Sequence, residues 1–128
     1  MKKFFEKNHQ LLSLILILVF SRLIPHPPNF TPIITVALLS GYFFRNIYAS
    51  LAVLFIAMLL SDLFIAFYKN MIFVYFSLFL ICIISNIKIK NYNIKNLFLF
   101  SLMGSLIFFI ITNFGVWLLG DLYEKNIN

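Results

Sequence analysis

The sequence predicts an all-α protein: a polytopic transmembrane helix bundle of about five helices in a single domain covering residues 1–128. Three observations predict it. Apolar residues make up 62% of the 128 and charged residues only 11%, with a mean hydropathy of +1.00, whereas soluble chains carry about 25% charged residues. A soluble domain of this size has too little interior to hide that much hydrocarbon. The apolar residues, 17 phenylalanines among them, fall into five runs parted by brief polar intervals. The third observation is a break near the amino end, Arg22-Leu23-Ile24-Pro25-His26-Pro27-Pro28-Asn29-Phe30-Thr31-Pro32-Ile33. Its prolines forbid a regular helix, because each lacks an N–H donor and restricts the residue before it.

The runs cover approximately residues 11–24, 30–44, 47–67, 71–87 and 97–119. The first follows Lys2, Lys3 and Lys7, as a signal peptide would, yet no A-x-A-like site follows it, so it reads as an uncleaved first helix. The first and second runs are short and flank the proline break, and short or interrupted membrane helices mark binding sites in transporter folds. The third and fifth reach the ~20 residues that a bilayer helix needs. Polar intervals at Arg45-Asn46, Lys69-Asn70 and residues 88–96 separate the later runs. Small residues spaced by four, Ala37/Gly41, Ala57/Ser61 and Ser101/Ser105, read as helix-packing faces. Cys82 lies inside an apolar run and has no cysteine partner, so it reads as a small core hydrophobe.

Orientation follows from lysine and arginine. With the amino terminus in the cytoplasm, Lys2, Lys3, Lys7, Arg45, Lys88, Lys90 and Lys95 fall inside, and only Arg22, Lys69 and Lys125 fall outside. The net charge of +6 therefore reads as membrane topology, with no basic stripe for nucleic acid. Asp62 stands fifteen residues beyond Ile47, about 22 Å along its helix. Asn113 stands sixteen beyond Leu97, about 24 Å. The two then share a depth in the outer half of the membrane, on the side of the proline break.

The candidate substrate-binding residues are Arg22, His26, Asn29, Thr31, Asp62, Thr112, Asn113 and Trp117. An aspartate inside a span costs about 2.5–3.5 kcal/mol on insertion scales, so Asp62 must face the bundle interior or water. It can contact a ligand or pair with Arg22, which can itself snorkel, pair or hold an anionic group. Thr112 and Asn113 need hydrogen-bond partners across a helix interface, Gly115 permits close approach, and Trp117 suits an interfacial belt or a stacking wall. His26 and His9 sit at opposite faces, so no metal site is expected. No cofactor is expected either. Neither HExxH nor GxSxG nor a phosphate-binding glycine loop is present, and no span holds paired carboxylates, so no enzyme activity is expected.

The strings Arg22–Ile33, Leu60-Ser61-Asp62-Leu63 and Thr112-Asn113-Phe114-Gly115-Val116-Trp117-Leu118 resemble, in the same order, an uncharacterised bacterial family of transport proteins. That family is similar to the substrate-binding S components of energy-coupling factor (vitamin-type) transporters. The resemblance implies a small helical protein of the bacterial inner membrane that captures a vitamin-like micronutrient from outside. A transmembrane coupling subunit and ATPases would then drive its release. S components have six helices, so five runs imply that fold without its last helix, and the first run lacks the spaced alanines that many S components carry. The alternative expectation is a non-transporting structural or assembly subunit of a membrane complex.

Overall fold

In the computed structural model, which describes residues 2–25, 32–44, 46–90 and 93–120, every regular element is an α-helix. They are α1 (Lys2–Leu23), α2 (Ile33–Phe43), α3 (Ile47–Ile65), α4 (Met71–Lys88) and α5 (Ile94–Leu119). The all-α expectation and the count of five both hold. The boundaries move for local reasons. α1 begins nine residues before the expected start, because no glycine or proline interrupts residues 2–10. α2 starts at Ile33 rather than residue 30, behind Pro32, whose carbonyl accepts the Val36 N–H at 2.9 Å. Asn46 caps α3 and Asn93 caps α5. Each side-chain oxygen accepts the N–H two residues on, which moves the start of α5 forward to Ile94. α3 stops at Ile65 rather than residue 67, where Ala66 turns to φ 104°, ψ 153°.

Three helices, α3, α4 and α5, are long and apolar enough to cross a membrane. The fourth run joins the two expected to do so because its helix continues to Lys88. α1 and α2 contribute shorter apolar stretches, Leu12–Leu23 and Ile33–Phe43. Eleven residues give α2 a length of only about 16 Å, roughly half of the ~30 Å hydrocarbon layer.

A helix that ends so early leaves carbonyls with no partner in their own helix, a costly condition away from water. Side chains from α3 and α4 gather at this end, where the Ser40 carbonyl also accepts the Phe44 N–H at 3.1 Å. Ser85 Oγ donates to the Leu38 carbonyl at 2.6 Å, and Asn86 Nδ2 donates to those of Gly41 at 2.9 Å and Phe44 at 2.7 Å. Ser50 Oγ lies 3.0 Å from the Ser40 carbonyl and 3.1 Å from that of Phe44. Buried Ser40 also places its hydroxyl 3.5 Å from Cys82 Sγ, so the cysteine sits in the core as expected.

α2 packs against α4 at the centre, α1 lies mainly along α3, and α5 leans on α4 and α2. Among the described residues α5 packs on neither α1 nor α3. The core gathers Leu18, Val36, Ala37, Leu54, Ala57, Met58, Leu78, Ile81 and Cys82. Large apolar side chains such as Phe64, Ile72, Phe98 and Leu106 point outward, as lipid-facing residues do.

Two of the three expected small-residue faces are packing faces. Ala37 and Gly41 are buried against α4, and Ala57 and Ser61 are buried on α3. The third expectation is corrected. Ser105 is exposed and its hydroxyl bonds back to the Ser101 carbonyl, while α5 makes its close approach through Gly104 and Gly115.

A methyl group at Gly41 would collide with the Cys82 carbonyl and come within 2.8 Å of the Ser85 Cβ. Gly41→Ala is therefore expected to destabilise the protein by about 1–3 kcal/mol, although alanine is the better helix former. A thermal melt of the detergent-purified variant checks this: a melting temperature lower by several degrees is expected.

Candidate functional site

At the end of the bundle where α1 and α3 finish and α2 and α4 begin, the two intramembrane charges meet. Arg22 Nη1 lies 2.6 Å from Asp62 Oδ1, with the arginine side chain 8% exposed and the aspartate fully buried. The same Nη1 donates to Ser61 Oγ and reaches the Met58 carbonyl at 3.5 Å. The other carboxylate oxygen of Asp62, Oδ2, accepts the Tyr75 O–H at 2.7 Å. Three helices are thus tied at one point: α1 through Arg22, α3 through Ser61 and Asp62, and α4 through Tyr75. The spacing explains the α3 contribution. Met58, Ser61 and Asp62 lie three and four residues apart and so share one face.

Beside this pair opens a cleft of about 770 Å³. Arg22, Tyr68, Asn70, Ser105, Thr112 and Asn113 supply its polar wall. Ile33, Ile34, Ile65, Val74, Phe108, Phe109 and Val116 supply the apolar remainder. On α5, residues 105, 108, 109, 112, 113 and 116 follow the three-and-four spacing of one helix face. On the α3–α4 connection, the turn at Ala66 brings Tyr68 and Asn70 to the rim. Burial pushes the Tyr68 phenol above its ordinary pKa, the Asp62 charge adds to that, and the Arg22 charge opposes it.

Asn70 fastens α4 to α5. Its Nδ2 donates to the Thr112 carbonyl at 3.1 Å. Its Oδ1 is buried, finds no donor among the described residues, and lies against the bare Cα of Gly115 together with the Phe73 ring. Gly115 therefore provides the close approach that its place in the sequence suggested.

Of the eight expected binding residues, Arg22, Thr112 and Asn113 line the cleft. Asp62 does not, because full burial and its two partners withdraw it from any ligand. It holds Arg22 instead. Trp117 does not line the cleft either. It is 42% exposed, with its ring 5.9 Å from that of Phe114, on the outer side of α5. His26, Asn29 and Thr31 lie outside the described residues.

The sequence reading did not single out Tyr68, Asn70 or Tyr75. Asn70 immediately before an apolar run has the form of an ordinary helix cap, yet its side chain makes no cap hydrogen bond and crosses to α5. Tyr75 is one of six tyrosines and gives no signal until Asp62 is beside it.

Residues 2–128 match a family of unknown function, DUF6580. The chain belongs to that family. No curated protein matches the chain, and no solved structure matches it.

Breaking the ion pair from one side leaves a buried charge without its partner. Asp62→Asn is expected to cost about 3–5 kcal/mol and to reduce the amount of folded protein recovered from membranes. Replacing both members with apolar side chains, Arg22→Met with Asp62→Leu, is expected to restore recovery and thermal stability to near the parent values. A double-mutant cycle of melting temperatures checks both. Ala66 occupies a conformation found almost only in glycine, at a cost of about 1–3 kcal/mol. Ala66→Gly is expected to raise the melting temperature by a few degrees, the added freedom of the unfolded chain offsetting part of the relief.

Proposed function

We propose that this membrane protein is the solute-capturing component of an uptake system, similar in role to the S components of energy-coupling factor transporters. It binds a vitamin-like micronutrient in the cleft between the Arg22–Asp62 pair and α5. The observation that carries the reading is the cleft itself. Its volume of about 770 Å³ lies within the roughly 300–1,000 Å³ usual for small-molecule sites, and it combines apolar walls with a few convergent polar groups. An interrupted helix supports it too: the short α2 borders the cleft through Ile33 and Ile34, as broken helices do around transporter sites.

The excess of lysine and arginine at the other end favours a cytoplasmic amino terminus in the bacterial inner membrane, which turns the cleft outward. The chain carries no nucleotide-binding motif, so a transmembrane coupling subunit and partner ATPases would supply the work.

One observation favours a second reading, that of a structural or assembly subunit. α5 buries only Gly104 and Gly115 along its 26 residues, leaving a long face free for another membrane protein. The two readings part on ligand binding. Under the first, detergent-purified protein screened against water-soluble vitamins and cofactor precursors gains several degrees in melting temperature with one of them, and Thr112→Leu removes the gain while leaving the ligand-free melt unchanged. Under the second, no compound in the screen shifts the melt, and the protein is recovered from native membranes only with a fixed partner.

A further inference from the structure

We infer that the cleft is a lateral groove for a single-chain amphiphile, which places its polar head at the membrane face and its apolar chain inward along α5. The inference rests on the solute-capture reading above and names its substrate class: a micronutrient that carries an apolar chain.

The depth of each lining residue follows from its contacts. The connection between α3 and α4 joins two spans and so lies at a membrane face, and it carries Tyr68 and Asn70. Asn70 Nδ2 donates to the Thr112 carbonyl, and Gly115 packs against Asn70, so this part of α5 stands at the same level. Arg22 stands close to it, tied through Asp62 to Tyr75 near the start of α4. Eleven residues and about 16 Å further in, Gly104 meets Ile34 and Ile81, so the start of α2 shares a level with the middle of α5. The lining sorts by this depth. Arg22, Tyr68, Asn70, Thr112 and Asn113 gather towards the face, whereas Ile33, Ile34, Phe108 and Phe109 line the inner half. The polar group of that inner half, Ser105 Oγ, is bonded to the Ser101 carbonyl at 2.8 Å.

The groove is open along its length. Phe109 on one bank is 64% exposed and Ile65 on the other is 45% exposed. Among the described residues α5 packs on neither α1 nor α3, so the long side of the groove faces lipid. A wholly polar solute would leave the inner half to lipid tails. A wholly apolar one would cover the outer groups without bonding them, which is costly. An amphiphile satisfies both halves. Its head meets donors and acceptors together: Arg22 has N–H groups beyond Nη1, Asn113 keeps one N–H and its amide oxygen, and Thr112 keeps hydroxyl lone pairs. Lipid is as apolar as the groove, so the chain sets the position and the route of entry while the head supplies the affinity.

Monolaurin, glycerol and dodecane serve as amphiphile, head alone and chain alone in a thermal-shift test of the full chain in phosphatidylcholine nanodiscs. Because phosphatidylcholine is present throughout, a shift reports preference over an ordinary bilayer lipid. Monolaurin is expected to raise the melting temperature by a few degrees, and the other two, at the same concentration, to leave it unchanged. Ser105→Phe, which fills the inner half of the groove, is expected to abolish the shift. Leu102→Phe, on the lipid-facing side of the same helix, is expected to keep it, and both variants to melt as the parent does without ligand. No shift with monolaurin, an equal shift with glycerol or dodecane, or a shift that survives Ser105→Phe overturns the assignment. Where that result comes with a water-soluble vitamin that stabilises the parent and Ser105→Phe alike, the capture reading stands. If neither monolaurin nor any micronutrient shifts the melt, both readings fall.

Discussion

A guanidinium and a carboxylate withdrawn together from solvent set the geometry at one end of this bundle. Either charge alone within an apolar span would be expensive. Together, with Ser61 and Tyr75 supplying further hydrogen bonds, they form a neutral knot joining three helices. The knot holds the end of α1 against α3, on the far side of the bundle from α5. Because α5 rests on α2 and α4 without touching α1 or α3 among the described residues, an opening is left between the knot and the last helix. The cleft is thus a consequence of where the ion pair draws α1, and Asp62 shapes it from behind without entering it.

The other end of the bundle solves a different problem with the same means. Lipid is as apolar as leucine, so burying hydrocarbon does little to choose one helix arrangement over another in a bilayer. Small residues and hydrogen bonds make the choice. α2 is only about half as long as the layer is thick, and Ser50, Ser85 and Asn86 donate to carbonyls at its end, so a helix too short to span is fixed against its neighbours. Gly41 lets α4 come near enough for those bonds to form.

The helices were legible in the sequence because the membrane imposes a simple rule: long apolar runs must be helical, and polar intervals end them. Pro32, Asn46 and Asn93 placed starts to within a few residues. The end of α3 was not legible, since an alanine at positive φ leaves no mark in a sequence. Asp62 showed that it needed a partner, and Arg22 was the natural one. That a second partner would take its other oxygen depended on Tyr75, whose position follows from how α4 packs. Thr112 and Asn113 were visible as polar residues in an apolar run. Asn70 was not, because its sequence context suits a cap and its actual partner lies forty-two residues away. For Trp117 the sequence left a belt or a stacking wall open, since aromatic residues occur on both faces of α5 and the sequence gives its helical phase only through the glycines.

Those glycines carry a mechanical consequence. Gly104 and Gly115 are eleven residues apart, just over three turns, so both fall on one line along α5, and they are its only buried residues. One notch receives Ile34 and Ile81, and the other receives Asn70 and Phe73. A helix seated on two notches of the same phase cannot roll about its axis, since rolling by a single residue would drive Ser105 or Val116 into a space with no room for a side chain. It cannot slide by less than a full repeat for the same reason. α5 is keyed to the bundle like a shaft in a slot, and the key, though it touches no solute, fixes the direction in which the polar face beside it points.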